Sequence, residues 1–171
     1  MELKELKVRA SAPYPSITDA TNNAKTVRVI KNLMSGYDGE LRAVLQYFYQ
    51  SSLCNKIQPE ISKILEEISV AEMMHMELLS HAIVDFGGTP MYDNAQGYFF
   101  NTESVAYQTK LKDILDIDIK SEEIAIRDYT NAINMVENQS LKNLFKRIIE
   151  DEKIHLEIFT YLRNTIKFMC V

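Results

Sequence analysis

Apolar residues recur at steps of three and four through most of the chain, which is the spacing of helices that bury one face. Glycine and proline are scarce, at 5 and 4 residues, so the sequence carries few turn signals. The pattern predicts an all-α protein with four long helices, which cover about residues 22–55, 59–86, 102–137 and 140–167.

Local signals define the predicted connections between these helices. Gly36 and Gly39 are weak points within the first helix, and Gly-Gly-Thr-Pro at residues 87–90 ends the second. Ser140 is the expected cap of the fourth helix. Residues 91–101 lack a sustained period and predict a long crossover, so the third helix should start at the opposite end. Two short connections and one long crossover favour an antiparallel ferritin-like four-helix bundle.

The first part of the chain differs from the rest. Pro13 and Pro15, with several serines and threonines around them, favour an extended arm over a helix, and we treat this arm as one that can pack on a neighbouring subunit. The 171 residues show no other shift in composition. We therefore predict an N-terminal arm over residues 1–21 and a single bundle domain over residues 22–171.

Charge and apolar length restrict the class of partner. The net charge of -5 and the lack of a run rich in Lys and Arg argue against a general nucleic-acid binder. No segment has the apolar core of a signal peptide or the length to span a bilayer, so we expect a cytoplasmic protein without membrane contact. Cys54 and Cys170 form no Cys-x-x-Cys pair, which excludes a rubredoxin-type iron site and a zinc knuckle.

Ionisable residues interrupt two of the apolar seams. Glu72 and His75 stand at i and i+3 on the inward face of the second helix, and Glu152 and His155 repeat this arrangement in the fourth. A single pair with this spacing is common on helix surfaces. Two pairs in matching buried seams indicate one shared site.

The first and third helices share a second pattern, Glu-x-x-Ala-x-x-x-Tyr. It begins at Glu40 and Glu122 and ends at Tyr47 and Tyr129. The chain therefore consists of two related helix pairs. Each tyrosine lies on the same face as its glutamate, and either orients a carboxylate through a hydrogen bond or packs in the core.

Four buried carboxylates require compensating positive charge, and no pair of buried Lys or Arg provides it. Two divalent cations with two neutral imidazoles balance four carboxylates. Carboxylate and imidazole ligands suit iron or manganese, and zinc is also compatible. Glu40 and Glu122 are the expected terminal carboxylates, and Glu72 and Glu152 the expected bridges. The predicted metal ligands are Glu40, Glu72, His75, Glu122, Glu152 and His155.

Four segments carry a resemblance to a known family. Residues 40–48 (ELRAVLQYF), 72–75 (EMMH), 118–122 (DIKSE) and 151–155 (DEKIH) resemble bacterioferritin and its rubrerythrin-like relatives, over about residues 29–162. The resemblance implies a ferritin-like bundle with two iron ions that react with O2 or H2O2. It thus implies an oxidoreductase that oxidises ferrous iron or removes peroxide.

The sequence departs from these relatives at several positions. Ala125 stands where rubrerythrins have an additional carboxylate, and the rubredoxin cysteines are absent. Together these departures argue against a rubrerythrin-type peroxidase with its own electron supply. Only residues 168–171 follow the fourth helix, where bacterioferritin has a fifth helix, which argues against an iron-storage cage. Met73 occupies the position of the bacterioferritin haem ligand, but one methionine among 8 is weak evidence, and we expect no haem.

Two alternatives stay open. Residues 75–77 and 155–157, with the long crossover, are also similar to manganese catalases, which implies a dimanganese centre that disproportionates H2O2. The third reading is a non-enzymatic protein that binds or stores iron or forms a shell. A homo-oligomer, a dimer or larger, is expected in each case because Tyr and Met stripes leave apolar surface to cover. Glu123 points about 100° away from Glu122 around the helix and is expected to be solvated.

Overall fold

Five α-helices and one short 3-10 helix form the regular structure of residues 6–165, the part of the chain that the computed structural model describes. This all-helical arrangement confirms the predicted fold class. No helix among these residues has both the length and the apolar character needed to cross a membrane. The helices are α1 (Ala24–Ser35), α2 (Glu40–Cys54), α3 (Pro59–Asp85), α4 (Leu111–Met135) and α5 (Gln139–Thr165), and the 3-10 helix is Thr102–Ser104.

The first predicted helix is not continuous, so the prediction of one helix over residues 22–55 was wrong. It breaks between Ser35 and Glu40, where both Gly36 and Gly39 have extended backbone. The chain folds back so closely at this turn that a Cβ on Gly39 would lie 2.5 Å from the carbonyl oxygen of Leu33. As a result, α1 packs on the C-terminal half of α3, and α2 packs on its N-terminal half.

The third predicted helix begins later than expected. Residues 102–110 do not belong to α4, because side chains of α2 bind their backbone instead. Arg42 Nε donates to the carbonyl of Ser104 at 2.9 Å, and the amide of Ala106 donates to Gln46 Oε1 at 3.2 Å. The crossover therefore runs from Phe86 to Lys110 before α4 starts.

The last helix is capped by a different residue from the predicted one. Asn138 Oδ1 accepts the amide of Leu141 at 2.9 Å, whereas the hydroxyl of Ser140 donates to the carbonyl of Thr18. The prediction of Ser140 as the cap was wrong, because the arm binds its side chain. The predicted end of this helix near residue 167 and residues 168–171, which include Cys170, lie outside the described residues.

The core consists of two apolar clusters with a polar layer between them. One cluster, around Ile30, Leu79 and Phe145, fills the end of the bundle where α1 packs. The other, around Leu65, Leu115 and Phe159, fills the opposite end. Glutamate, histidine, aspartate and glutamine side chains fill the space between the clusters. The polar layer lies at the middle of the bundle, where all four inward seams meet.

The N-terminal arm packs on its own chain. Leu6 and Val8 contact the cluster around Phe159, and Tyr14 and Ile17 contact the cluster around Phe145. The described part of the arm therefore crosses the polar layer from one end of the bundle towards the other. Residues 1–5 of the predicted arm lie outside the described residues.

Asp118 occupies the edge of the polar layer and is fully buried. Its Oδ1 accepts hydrogen bonds from Gln46 Nε2 and Gln50 Nε2, both at 2.9 Å. Burial raises the pKa of Asp118 to about 7, although the two amide hydrogen bonds oppose the shift. The carboxyl group is therefore neutral over much of the acidic range.

Replacing Gly39 by alanine should lower the free energy of unfolding by about 1–3 kcal/mol, because the added Cβ overlaps the backbone of Leu33. Urea unfolding of the metal-free protein measures the loss. Gly97→Ala is the control, since a Cβ there meets nothing within 4 Å, and the positive φ alone should cost about 1 kcal/mol. Equal losses in both variants would contradict a clash at Gly39.

Asp118→Asn should alter how stability depends on pH. The folded protein binds more protons than the unfolded chain between the ordinary pKa of 3.8 and about 7, so wild-type stability falls as pH rises through this range. The asparagine oxygen accepts the same hydrogen bonds but does not titrate, so the stability of the variant lacks this fall with pH. Relative to wild type, the metal-free variant should gain about 2–4 kcal/mol between about pH 5 and about pH 8 in urea unfolding. Asp113→Asn, at an exposed position of α4, is the control, and parallel profiles for Asp118→Asn and wild type would rule the effect out.

Candidate metal centre

Carboxylate and imidazole groups from four helices converge in the middle of the polar layer. Their donor atoms form two groups of four, and the atoms within each group lie within 4.8 Å of one another. All the residues concerned are at most 5% exposed, so the cluster is buried inside the bundle. Each predicted ligand is present: Glu40 from α2, Glu72 and His75 from α3, Glu122 from α4, and Glu152 and His155 from α5.

The first group surrounds Nδ1 of His75. This nitrogen lies 2.9 Å from Glu72 Oε2, 3.2 Å from Glu152 Oε1 and 3.7 Å from Glu40 Oε2. Three helices thus supply the four donors of one potential metal position.

The second group surrounds Nδ1 of His155. This nitrogen lies 3.0 Å from Glu72 Oε1, 3.2 Å from Glu152 Oε2 and 3.8 Å from Glu122 Oε2. The distances nearly repeat those around His75. Glu72 and Glu152 belong to both groups, with one oxygen close to each histidine, which is the arrangement of carboxylates that bridge two ions.

The donor set fits two cations. Glu72 Oε1 and Glu152 Oε1 are buried without a hydrogen-bond partner of acceptable geometry, although each is near a histidine nitrogen. Buried polar atoms without such partners are uncommon and need an explanation such as a bound ion. Four carboxylates and two imidazoles also match the ligand preference of iron and manganese. The cluster therefore suggests a dinuclear metal site.

Proximity of the carboxylates changes their affinity for protons. Burial raises the pKa of Glu40 and Glu122 well above the ordinary value, and repulsion from Glu72 and Glu152 adds to the shift. Burial also raises the pKa of Glu72, but attraction and hydrogen bonds from the two histidines outweigh this and lower it overall. Protons on the outer glutamates reduce the repulsion when no cation is present.

The pKa of both histidines is raised as well, but by a different cause. Burial lowers the pKa of His75 and His155, but attraction to Glu152 and Glu72, respectively, and hydrogen bonds to nearby carboxylates raise it well above the ordinary value. In the metal-free protein the imidazoles therefore hold protons where a cation would otherwise lie. Binding of cations must release these protons, as is general for metal sites of this type.

Tyr47 and Tyr129 bond across the bundle rather than within their own helix pair. The hydroxyl of Tyr47 on α2 donates to Glu122 on α4, and the hydroxyl of Tyr129 on α4 donates to Glu40 on α2. Both tyrosines are buried, and burial raises their pKa well above the ordinary value. Each outer glutamate is thus oriented by a neutral hydroxyl group from the other helix pair.

Sequence reasoning missed the groups that hold the outer face of each histidine. Nε2 of His75 lies 3.1 Å from Asp151 Oδ2, and Nε2 of His155 lies 2.8 Å from the carbonyl oxygen of Val8. Burial raises the pKa of Asp151, but hydrogen bonds from His75, Tyr14 and other groups outweigh this and lower it to about 2. The ionised Asp151 therefore accepts a hydrogen bond from Nε2–H of His75, and Nδ1 faces the cluster.

Asp151 directly precedes the predicted ligand Glu152 in the sequence. No spacing rule identifies it as the hydrogen-bond partner of His75, which lies on another helix. The periodic signal applies to helix faces, so it could not place the arm residue Val8 at all. Asp118, the first residue of the segment 118–122, is buried and binds two glutamines.

A cavity of about 310 Å³ connects the cluster with the surface. It starts beside exposed Tyr37 and Gln96, at the break between α1 and α2, and reaches buried Glu72 and Glu152. This volume admits water, dissolved ions and small molecules, and excludes large organic substrates.

Comparison with known proteins agrees with this geometry. Residues 31–163 match the rubrerythrin family model. The chain is 27% identical over 147 residues to a bacterioferritin of Desulfovibrio desulfuricans, which covers 84% of this chain and 78% of that protein. The di-iron bacterioferritin structure from this organism has a TM-score of 0.70 at 26% identity, with 85% of each chain covered.

A second solved structure shares the fold. A manganese catalase from Anabaena PCC7120 has a TM-score of 0.84, with 93% of this chain and 80% of that chain covered. Its identity of 19% supports similarity of fold alone. Since the family match spans most of the chain and contains the whole carboxylate and histidine cluster, this protein belongs to the rubrerythrin family.

Proposed function

We propose that this protein is a di-iron oxidoreductase that reacts with O2 or H2O2, either to oxidise ferrous iron or to remove peroxide. The observation that carries the proposal is the pair of buried four-donor groups that share Glu72 and Glu152. Such an arrangement holds two cations close together, which is required for chemistry that involves both ions. The family relationship to bacterioferritin and rubrerythrin supports iron as the metal.

Each side chain has a defined role in this proposal. Glu40 and His75 would bind only the first ion, Glu122 and His155 only the second, and the two shared glutamates both ions. Bound metal ions supply redox equivalents and Lewis acidity.

The remaining groups control orientation and access. The crossed hydrogen bonds from Tyr47 and Tyr129 restrict the two outer carboxylates, so the ligands are preorganised before an ion binds. The cavity lets small reactants enter between α2 and α4, and the ion pair of Arg42 and Asp38 at 3.0 Å lies in its wall. The apolar clusters on both sides limit access of bulk water to the centre.

The second candidate is a dimanganese centre that disproportionates H2O2. Ala125 lines the cavity and adds no further carboxylate to the six donors, so each ion would have one imidazole, one carboxylate of its own and two shared carboxylates. This oxygen-rich set suits manganese as well as iron. Metal content and reaction type distinguish the two candidates.

The grouping of the donors predicts metal stoichiometry. Wild-type protein should bind two ferrous or manganous ions per chain without O2, measured by elemental analysis after desalting. Glu40→Ala and Glu122→Ala should each keep one ion, because each residue belongs to one group only, whereas Glu72→Ala should lose both.

Glu123→Ala is the matched control for Glu122→Ala, since Glu123 is the exposed neighbour on the same helix. It should bind two ions. Fewer than two ions in wild type, or equal binding by all variants, would overturn the dinuclear proposal.

The reaction itself should depend on the shared carboxylates. Iron-loaded wild type mixed with O2 should develop the near-ultraviolet absorption of ferric iron. With Glu72→Ala, iron should be oxidised only at the rate of free iron in buffer. Release of O2 from H2O2 by manganese-loaded protein without a reductant would instead favour the catalase reaction. Light scattering, which measures particle size, tests the alternative of a storage protein. A large particle, together with iron oxidation no faster than in buffer, would support storage.

A further inference from the structure

The two helix pairs repeat the same donors but differ at one buried position. The residue before the shared glutamate is Asp151 in α5 and Ala71 in α3, at corresponding places in the two repeats. Ala71 is 1% exposed and has no polar atom in its side chain. The pattern that places a carboxylate behind His75 is therefore missing behind His155.

The N-terminal arm fills this position. The carbonyl oxygen of Val8 lies 2.8 Å from Nε2 of His155, as the carboxylate of Asp151 lies 3.1 Å from Nε2 of His75. A carbonyl oxygen only accepts hydrogen bonds, so Nε2 of His155 must donate and Nδ1 faces the cluster. The arm thus has the same contact with one imidazole that an aspartate has with the other.

The same part of α5 holds the arm in register. Arg147 donates to the carbonyls of Ala12 at 2.6 Å and Ala10 at 2.7 Å. Asp151 accepts the amide of Ala10 at 2.7 Å and the hydroxyl of Tyr14 at 2.6 Å. The arm is therefore fixed immediately next to the residue that contacts His155.

We propose that the arm is a positioning element of the metal centre, and that it makes the His155 position weaker and more dependent on the arm than the His75 position. A neutral carbonyl increases the basicity of an imidazole less than a carboxylate does. The two ions should therefore bind with unequal affinity. This inference rests on the proposed metal-binding function.

The test is insertion of two glycines between Arg9 and Ala10, which moves the Val8 carbonyl out of register but keeps the anchors from Ala10 to Tyr14. In a Glu40→Ala background only the His155 group is complete, and manganese(II) affinity should fall about 10-fold or more. In a Glu122→Ala background only the His75 group is complete, and affinity should change less than about 2-fold. Free manganese(II), measured by electron paramagnetic resonance, gives both values.

Two further variants separate positioning from general damage. Two glycines inserted beside Gly97, where the nearby space is open, should leave both affinities unchanged. Ala71→Asp, added to the arm insertion, should restore affinity of the His155 group, because it supplies the acceptor that the repeat lacks. Lost folding alone would not be corrected by this substitution.

The outcomes distinguish the arm from the centre. Suppose that each parent variant binds one ion. An arm insertion that then changes the affinity of both groups equally, or of neither, would overturn the role of the arm but not the metal-binding function. If a parent variant binds no ion, the wild-type chain and the wild-type chain with the arm insertion are each titrated with manganese(II). An insertion that leaves the affinity for the second ion unchanged would overturn the role of the arm. A wild-type chain that binds no ion would overturn the proposed function itself.

Discussion

The burial of four glutamates in the middle of a helical bundle is the constraint on which the rest of this structure depends. Each ionised carboxylate in such surroundings costs several kcal/mol without compensation. Without cations, protons on Glu40 and Glu122 and the positive imidazoles reduce that cost. With two divalent cations the same groups become ligands. The apolar clusters at both ends of the bundle supply the stability that allows this layer to persist.

The sequence predicted the features that depend on helical period. A helix directs residues at i, i+3 and i+4 to one face, so the seams containing Glu72 with His75 and Glu152 with His155 had to meet once they faced a common core. The repeat likewise placed Tyr47 and Tyr129 on the faces of Glu40 and Glu122, and left open whether they bind a carboxylate or pack in the core. That six side chains meet follows from such rules. Their action as metal ligands stays a prediction.

Features that depend on tertiary contacts could not be predicted in this way. The helical period continues on both sides of Gly36 and Gly39, and the break between them reflects how closely the turn approaches the backbone of Leu33. The late start of α4 reflects hydrogen bonds from Arg42 and Gln46, far away in sequence. The contact between Val8 and His155 joins residues from opposite ends of the chain, and no local pattern encodes it.

The crossed tyrosine bonds have a consequence for the origin of this architecture. Within one helix pair, α2 and α3 supply two carboxylates, one imidazole and a tyrosine whose acceptor lies in the other pair. A half-length chain alone would lack the carboxylate acceptor of its tyrosine and half of the donors of the centre. Two identical halves joined about a twofold axis would satisfy both needs at once. Gene duplication and fusion would then have allowed the halves to diverge, as Ala71 and Asp151 have done.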